Sequence, residues 1–388
     1  MIFQYPKLEQ QDRDVLEMIR QLRRDLRHQV NVNPVRWTGF LRRNTFARAL
    51  QGSNSIEGFN ADLSEAVAIV DEEKPEALEE ETEKALTCYR TALTYILRLH
   101  DDPYAQINAQ LIRSLHFMML NYDMTMLPGQ WRPGPIRVVH ELTGKTVYDG
   151  PAPHEVPKLV DELVSQITDA RSVESSTVLA AMAHLNLAMI HPFRDGNGRM
   201  SRALQTLVLT RNNVLSPVFC SIEEWLGRNT DAYYKVLGEI GKGKWSPKNN
   251  ALPWVRFCLV AHYQQAATLV KRNAVIGRMW GEMEKLRKQH DLPERTELAL
   301  MDAAFNYKVR NGRYRQENEI SDVVASRDLK RLSDLGLLMP VGEKRGRYYV
   351  AAKPLEEIRE RCADKIMAPN PYDVIRGRSS GQQLSLPI

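Results

Sequence analysis

The sequence has few cysteines, little net charge and no long hydrophobic run. Its four cysteines lie far apart without a CxxC pair, so neither a zinc knuckle nor a disulfide framework is indicated. The formal net charge of +5 is mild, and it permits contact with nucleic acid without arguing for it. The first residues lack the basic stretch and the apolar run of a signal peptide. We therefore expect a protein of the reducing cytoplasm that makes no contact with a membrane.

The chain is instead rich in helical patterns. Its 388 residues exceed one average domain, and 43% of them are hydrophobic, which is enough for a sizeable core. Apolar residues recur at helical spacing, which predicts a mainly α-helical fold with helices at 13–28, 81–99, 111–120, 156–167, 177–190, 198–209, 231–240, 252–270 and 277–290. The segment 177–190 is apolar nearly all round, so it should form a central, buried helix in which His184 is a satisfied core side chain.

Two short regions predict β-structure. The first lies in a stretch punctuated by proline and glycine, where the β-branched runs 136–139 and 146–148 are joined through residues 142–145 as a hairpin. The second lies near the C-terminus, where predicted helices at 315–324 and 326–335 precede a hairpin at 338–341 and 347–351. Helix, helix and hairpin in this order are typical of a winged helix.

These patterns divide the chain into five regions. We expect an N-terminal helical region (1–105), a core that contains the first hairpin (106–275), a connecting helix (276–291), a winged-helix domain (292–360) and a flexible tail (361–388). The tail is rich in Pro, Gly, Ser and Gln, which is why we expect poor order there.

The segment 191–202, HPFRDGNGRMSR, has the pattern of a polyphosphate site. Two turn dipeptides, each ending in glycine, let the backbone approach a ligand and open into a helix whose first N–H groups favour an anion. Arg199 and Arg202 share one face of that helix, and two guanidiniums suit a polyphosphate better than a single carboxylate. Asp195 would repel a polyphosphate unless a hard cation such as Mg²⁺ lay between them. His191, at the end of the preceding helix, can accept a proton from a hydroxyl near neutral pH.

Simpler interpretations of these residues stay open at this point. His191 could be a core histidine that ends a helix before a proline, and Asp195 could cap the next helix. Arg199 and Arg202 could be solvated helix charges. His191 and Asp195 could also ligate a transition metal, although no third ligand stands at a useful spacing.

The segment matches the Fic signature, HPFx(D/E)GNGRxxR, at every fixed position, so the chain resembles the Fic (filamentation induced by cAMP) family of protein adenylyltransferases. The resemblance covers about residues 48–234. It implies the transfer of AMP from ATP, with Mg²⁺, to a Ser, Thr or Tyr hydroxyl of a protein. The implied roles are general base for His191, metal ligand for Asp195, core anchor of the ATP-binding loop for Phe193, anion hole for Gly196, Asn197 and Gly198, and β- and γ-phosphate ligands for Arg199 and Arg202.

A second match lies upstream, where residues 53–58, SNSIEG, resemble the family's inhibitory motif, (S/T)xxxE(G/N). The resemblance implies that Glu57 sits on a helix beside the nucleotide site and pairs with Arg202. ATP would then bind only in an unproductive pose. Ser53 would hold that helix by a hydrogen bond. An ordinary surface role for Glu57 is the alternative.

Two further regions resemble features of the family. The first hairpin is similar to the flap that binds a target segment by strand addition. Its docking residues would be Ile136, Arg137, Val138 and Val139. The residues that help to wall the adenine pocket would be Asn229, Tyr233 and Tyr234. Both tyrosines could instead be core or rim residues.

The predicted winged helix carries charges of both signs. Its basic residues are Arg327, Lys330, Arg331, Lys344, Arg345 and Arg347. Its interspersed acidic residues are Asp322, Asp328, Asp334 and Glu343. This mixture suits either phosphate contacts in a DNA groove or contact with a protein.

The sequence thus favours a Mg²⁺- and ATP-dependent protein adenylyltransferase that Glu57 restrains. Its partner would be a protein with a modifiable hydroxyl, the chain itself included, and a homodimer stays open. Two other functions compete with this one. The first is a DNA-binding winged-helix regulator with a nucleotide-sensing core, and the second is an enzyme that removes AMP from proteins, with Glu57 orienting a water molecule.

Overall fold

The computed structural model describes residues 1–139, 146–169, 175–211, 217–343, 346–363 and 368–379. Within these ranges the chain is mainly helical, as the sequence predicts. It divides into two compact units. The first unit contains Met1–Asn31, Arg42–Leu269 and Ala368–Ile388, and the second contains Val32–Leu41 and Val270–Met367.

The described ranges contain sixteen α-helices and four strands. The helices up to the first hairpin are α1 (Gln10–Val32), α2 (Val35–Ser55), α3 (Leu63–Val70), α4 (Glu80–Arg98) and α5 (Ala109–Leu120). The helices of the middle of the chain are α6 (Val156–Thr168), α7 (Ser176–Ile190), α8 (Asn197–Arg211), α9 (Glu223–Arg228), α10 (Thr230–Gly241) and α11 (Leu252–Gln289). The last helices are α12 (Thr296–Ala304), α13 (Asn311–Glu317), α14 (Asp322–Asp334), α15 (Lys353–Cys362) and α16 (Pro371–Ser379). In these ranges no helical stretch has the length and hydropathy required of a bilayer-spanning segment.

Helix α7 is the centre of the first unit, which confirms the prediction of a buried helix. Only Ser176 and Ala188 among its fifteen residues are not buried. Ser175 caps its start by accepting a hydrogen bond from the N–H of Thr177, and Pro192 follows its end. Helix α8 packs along α7 and is buried at nearly every position. The short loop between these two helices is therefore held on both sides by the core.

A two-stranded antiparallel hairpin stands beside this loop. Strand β1 (Arg137–Val139) pairs with β2 (Thr146–Asp149), and a bulge follows Val138. The hairpin confirms the prediction, although Ile136 precedes the strand rather than beginning it. The residues predicted to join the two strands, 142–145, lie outside the described ranges.

The second unit contains the predicted C-terminal elements with different bounds. Strands β3 (Leu338–Val341) and β4 (Tyr348–Ala351) pair in register. The predicted helix 315–324 is wrong, because α13 ends at Glu317 and Ser321 caps α14. The basic residues Lys344 and Arg345 lie outside the described ranges. The order of helices and hairpin agrees with a winged helix, but that assignment stays a prediction.

Two further sequence expectations differ from the structure. The predicted helices 252–270 and 277–290 are one continuous helix, α11, because residues 271–276 contain neither proline nor glycine. Part of the predicted flexible tail is the helix α16. The hydroxyl of Tyr372 in that helix donates to Asp12 Oδ1 at 2.8 Å, and its ring packs against the core of the first unit. An aromatic anchor therefore orders a segment whose composition suggested disorder.

Candidate active site

His191 ends helix α7 in a left-handed backbone conformation, with φ of 51°. Non-glycine residues rarely adopt this region, and such residues cluster at functional sites. Its Nδ1 lies 3.1 Å from the carbonyl oxygen of Ala188, so Nδ1 carries the proton and donates to that oxygen. Nε2 is then the nitrogen that accepts a proton. Burial lowers the pKa of His191, which keeps the imidazole neutral near pH 7.

The loop after His191 is fixed by a reciprocal pair of hydrogen bonds. The N–H of Phe193 donates to Asn197 Oδ1 at 2.9 Å, and Asn197 Nδ2 donates back to the carbonyl of Phe193 at 2.9 Å. The ring of Phe193 is fully buried and stacks on His116, with centroids 3.6 Å apart. Phe193 and Asn197 therefore shape the loop from beneath, as the sequence predicts for Phe193.

His116, on α5, supports the same loop and was not predicted. Its Nδ1 accepts a hydrogen bond from the N–H of Gly129 at 2.8 Å, so its Nε2 donates to the carbonyl of Asp195 at 2.9 Å. Burial lowers the pKa of His116 to about 4, which keeps the ring neutral. Gly196 follows with φ of 73°, and a Cβ there would lie 2.5 Å from Leu120. His116 thus holds the backbone turn that leads into α8.

Arg132 clamps the loop to the base of the hairpin and was also missed. The side chain is 4% exposed. Its Nε donates to the carbonyl of His191 at 2.8 Å, and its two terminal nitrogens donate to the carbonyls of Gly134 and Pro151 at 2.7 and 2.5 Å. Its backbone N–H donates to the carbonyl of Pro192 at 2.9 Å. No pattern in the sequence distinguishes this arginine from the many others, because all its partners are backbone carbonyls.

Several hydrogen-bond donors without partners in the described part of the chain lie together at the start of α8. The first intrahelical bond runs from the N–H of Met200 to the carbonyl of Gly196, so the preceding N–H groups have no helical partner. Arg199 and Arg202 are each 1% exposed. Among the described residues, Nε and Nη1 of Arg199 and Nη1 of Arg202 have no hydrogen-bond partner. Buried guanidinium donors are rarely left unpaired, so the arrangement fits an anion with several oxygens.

Asp195 stands at the rim of this donor cluster. It is about half exposed, and its Oδ2 lies 3.7 Å from Nη2 of Arg199. The described residues bring together no group of three or more His, Cys, Asp and Glu side chains that could enclose a metal. A single carboxylate beside arginine donors that could bind phosphate fits Mg²⁺, which usually completes its coordination with water and substrate phosphates.

Glu57 approaches the same donors from the N-terminal region. Its Oε1 lies 2.7 Å from Nη2 of Arg202, so the contact predicted from the second motif is present. Ser53 takes part as well, because its Oγ accepts from Nε of Arg202 at 2.8 Å and its carbonyl accepts from Nη2 at 3.0 Å. The expectation that Glu57 lies on a helix was wrong. Helix α2 ends at Ser55, and Glu57 lies in the turn that Gly58, with φ of 84°, completes.

Glycines let the turn that contains Glu57 come this close to Arg202. A Cβ on Gly198 would overlap Oε1 of Glu57 and lie 3.1 Å from Nη1 of Arg202. The carboxylate therefore lies directly against the backbone of the predicted anion hole. Farther back, a Cβ on Gly227 of α9 would lie 2.6 Å from Cα of Gly52 in α2. Backbone-to-backbone packing of α2 on α9 thus sets the position of Glu57.

The residues predicted for the adenine pocket have different surroundings in the structure. Tyr233 is 2% exposed and its hydroxyl hydrogen bonds to Nε2 of His184 at 3.0 Å, so the structure favours the alternative that it is a core residue. His184 is fully buried and satisfied, as expected. Tyr234 is 49% exposed, and its hydroxyl donates to the carbonyl of Ile56 at 3.2 Å. Asn229 donates to the carbonyl of Trp225 at 2.8 Å. Contacts of Tyr234 and Asn229 with adenine stay predictions.

The hairpin is anchored next to the loop. The hydroxyl of Tyr148 in β2 donates to the carbonyl of Met189 at 2.6 Å, two residues before His191. Val138 packs towards the core of the first unit, whereas Arg137 is exposed and lies 3.3 Å from Asp149. Strand β1 pairs with β2 alone among the described residues, so its other edge offers backbone groups for a further strand.

Comparison with known proteins agrees with this site. Residues 106–209 match the model of the Fic/DOC family. The chain is similar to a probable protein adenylyltransferase of Aquifex aeolicus (strain VF5), with 29% identity over 96 residues, which are 25% of this chain and 27% of the relative. It is also similar to the protein adenylyltransferase Fic of Nematostella vectensis, with 25% identity over 65% of this chain and 55% of the relative. The chain therefore spans about a quarter to a half of these curated relatives.

A solved structure shares the fold over nearly the whole length. The crystal structure of a Fic family protein from Desulfovibrio desulfuricans G20 superposes with a TM-score of 0.57 at 19% identity. The match covers 90% of this chain and 99% of that one. At this level of identity the likeness speaks for the fold alone.

Proposed function

Residues 106–209 form a Fic domain, and from this premise we propose that the chain is a protein adenylyltransferase that Glu57 restrains. The proposed reaction moves AMP from ATP to a hydroxyl side chain of a protein. One observation carries the proposal. A carboxylate, Glu57, occupies part of a buried cluster of arginine donors beside a histidine whose Nε2 is able to accept a proton. The names of the curated relatives support the reaction class.

The phosphate chain of ATP would lie at the start of α8. The free N–H groups of Gly198 and its neighbours would bind the α- and β-phosphates, which the positive end of the helix favours. Arg199 and Arg202 would supply their unpaired donors to the β- and γ-phosphates. Asp195 would hold Mg²⁺, which when bound would neutralise phosphate charge. Because both arginines are already buried and fixed, little reorganisation would accompany binding.

His191 would act as general base. The hydrogen bond from Nδ1 to the carbonyl of Ala188 fixes the tautomer in which Nε2 accepts the proton of the target hydroxyl. The hydroxyl oxygen forms a bond to the α-phosphorus, and the bond from that phosphorus to the bridging oxygen breaks. Pyrophosphate leaves with the electron pair, and His191 retains the proton until solvent removes it. Positioning and charge stabilisation would supply most of the rate.

The target segment would dock on the free edge of β1. Strand addition uses backbone hydrogen bonds, which hold an extended segment without reading its side chains closely. Tyr148 and Arg132 tie the hairpin to the residues around His191, so a segment paired with β1 would present its hydroxyl at a set distance from the base. This mode of docking would allow several targets, the chain's own segments included.

Glu57 would restrain the enzyme by competing with phosphate. Its carboxylate neutralises Arg202 and lies against Gly198, where the γ-phosphate of a productive ATP would need room. A partly buried ion pair of this kind persists until another anion or a displacement of the turn replaces it. The resting protein would therefore transfer AMP slowly.

The proposal is tested with two labelled forms of ATP. The Glu57→Gly variant is incubated with Mg²⁺ and ATP labelled at the α-phosphate or at the γ-phosphate. Transfer of AMP leaves the α-label on protein and the γ-label in solution. Label from the γ-position on protein, or no α-label on any protein, contradicts the proposed reaction.

The second unit supports a second candidate function, the binding of DNA. Asp328 is 6% exposed and is paired with Arg295 at 2.6 Å, so it does not lie among the surface charges as the sequence suggested. The outer side of α14 exposes Arg327, Lys330 and Arg331. Its surface is therefore more basic than the sequence count implied, which suits contact with phosphates.

A mobility shift with duplex DNA tests this candidate. The combined Arg327→Ala and Arg331→Ala changes are expected to abolish the shift, and Lys353→Ala, an exposed charge on α15, is expected to preserve it. Equal binding by the wild type, the double variant and Lys353→Ala would exclude α14 as the element that contacts DNA.

A further inference from the structure

A buried chain of hydrogen bonds links Arg202 to a second carboxylate that the proposed reaction does not use. Nε of Arg202 donates to Ser53 Oγ at 2.8 Å, and Ser53 Oγ donates to the hydroxyl of Tyr89 at 3.0 Å. The hydroxyl of Tyr89 donates in turn to Oε2 of Glu223 at 3.0 Å. All four side chains are at most 1% exposed. Arg202 thus has two carboxylates in its surroundings, Glu57 in direct contact and Glu223 through this relay.

The two carboxylates differ in their freedom to move. Glu57 lies in a turn and is 24% exposed. Glu223 is enclosed in the first turn of α9, where Thr206 of α8 lies 3.5 Å from its Oε1. Entry of a γ-phosphate requires that Glu57 withdraw, whereas nothing in the proposed reaction displaces Glu223. A guanidinium without any anion in this interior would be strongly destabilising.

We propose that Glu223 is a second counter-ion of Arg202, which keeps the guanidinium neutralised and oriented while Glu57 withdraws and phosphate has yet to bind. The inference rests on the proposed function, since it concerns the regulation of the same site. Glu223 is a positioning residue, because it acts through Tyr89 and Ser53 and does not touch the substrate. Its negative charge lowers the cost of releasing Glu57, so it sets how tightly the enzyme is restrained.

The charge state of Glu223 links this device to pH. The groups that face it are Tyr89 from α4, Ser53 from α2, and Arg202 and Thr206 from α8. Burial raises the pKa of Glu223 to about 7, and the nearby Arg202 opposes that rise. When Glu57 withdraws, its negative charge no longer offsets the positive charge of Arg202. Arg202 then favours the ionised form of Glu223 more strongly, so Glu223 loses its proton more readily. Release of Glu57 is therefore easier above pH 7 than below it.

A double-mutant cycle in thermal stability tests the inference without any measurement of AMP transfer. The four proteins are the wild type, Glu57→Gln, Glu223→Gln and the double variant, all at pH 8, where Glu223 is ionised. Either anion alone should suffice for Arg202, so the Tm loss caused by Glu57→Gln is expected to be at least about 2 °C larger when Glu223 is already Gln. Additive losses would overturn the inference.

Matched controls separate charge from packing. Glu224→Gln removes the neighbouring carboxylate, which is also buried and lies 3.0 Å from Arg228, and it should combine additively with Glu57→Gln. Tyr89→Phe keeps the ring and breaks the relay, so it should couple to Glu57→Gln in the same direction if the Glu223 variant fails to fold. Coupling as large with Glu224 as with Glu223, or none with Tyr89, would contradict the proposed relay.

Activity provides a second, independent readout. Basal AMP transfer by the wild type should rise with pH through about 7, and Glu223→Gln should remove that rise and lower the transfer several-fold. The two proposals can fail separately. Coupling in the stability cycle without AMP transfer by any variant supports the counter-ion and contradicts the enzyme. AMP transfer with an additive cycle supports the enzyme and contradicts the counter-ion.

Discussion

Oε1 of Glu57 lies 2.7 Å from Nη2 of Arg202, although 145 positions separate the two residues in the chain. The contact satisfies one side of a buried guanidinium, and its Nη1 still has no partner among the described residues. Gly198 makes room for this arrangement, since any side chain there would overlap the carboxylate. The site thus contains an anion supplied by the protein itself together with donors that await further oxygens.

The substitution Gly198→Ala tests whether the start of α8 binds phosphate. In the Glu57→Gly background we expect ATP to bind roughly tenfold or more weakly, because the methyl group would occupy the space through which phosphate reaches the free N–H groups. Titration calorimetry with ATP and Mg²⁺ measures the affinity. The control is Gly238→Ala in α10, where a Cβ meets nothing within 4 Å. An unchanged affinity for the Gly198 variant would place the phosphates elsewhere.

Removal of His191, the proposed general base, should separate binding of ATP from transfer of AMP. In the Glu57→Gly background, His191→Ala is expected to abolish AMP transfer and to leave the ATP affinity within about threefold, because the proposed role of the imidazole is to take the proton of the target hydroxyl and not to bind the phosphates. Substitution of the exposed His154 by alanine serves as the control. Transfer that survives in the His191 variant would exclude this residue as the base.

The pH dependence of the same reaction follows from the pKa of His191. Burial lowers that pKa below its ordinary value of 6.5, so the imidazole stays unprotonated and active to a lower pH than a solvated histidine would. We expect the rate at saturating ATP to fall only below about pH 6.5 in the Glu57→Gly, Glu223→Gln protein, in which neither the release of Glu57 nor the titration of Glu223 adds to the pH dependence. A fall that begins well above that pH would show that the pKa is raised instead.

The central motif could be predicted from the sequence because its members are contiguous. The chain from His191 to Arg202 crosses one helix end, one turn and one helix start, and local geometry alone places these residues together. The pairing of Glu57 with Arg202 was reached through the resemblance of a second motif. The turn in which Glu57 lies was not foreseen, since Gly58 ends the helix earlier than the motif suggested.

Arg132 should matter for both stability and rate. Replacement by lysine retains the charge but loses the planar fork that bonds three carbonyls, so we expect a loss of about 3 kcal/mol in the free energy of unfolding. The rate constant should fall as well, because the carbonyl of His191 loses its donor. Urea unfolding and steady-state kinetics measure the two effects. Arg137→Lys, on the exposed side of the hairpin, should leave the free energy of unfolding nearly unchanged, and an equal loss of stability at both positions would contradict the clamp.

The lowered pKa of His116 predicts that the free energy of unfolding falls in acid. Its folded pKa of about 4 is below the ordinary value of 6.5, so the neutral ring contributes stability that is fully present above pH 6.5 and is lost as the pH falls towards 4. The contribution is on the order of 3 kcal/mol. We expect His116→Gln to flatten the fall in the free energy of unfolding between pH 6.5 and 4, as chemical denaturation at several pH values would reveal. The same slope in wild type and variant would contradict the assignment.

The supporting residues could not be read from the sequence for a physical reason. His116 and Arg132 bond to the backbone carbonyls of Asp195 and His191, which are distant in the chain, and such contacts leave no local pattern. Tyr233 and Tyr234 are adjacent on α10, and the sequence alone could not say that Tyr233 is the buried one and Tyr234 the half-exposed one. Asp328 was different, because it shares a helix face with the buried Leu329 and Leu332, and that periodicity could have shown that it is buried.

The most direct test of the account is intact-mass analysis of three proteins after incubation with ATP and Mg²⁺. These are the wild type, Glu57→Gly, and Glu57→Gly combined with His191→Ala. We predict that Glu57→Gly gains the mass of one or more AMP groups at least roughly tenfold faster than the wild type, as loss of a contact worth about 1.4 kcal/mol would allow, and that the combined variant gains none. Equal modification of wild type and Glu57→Gly, or modification of the combined variant, would contradict the account.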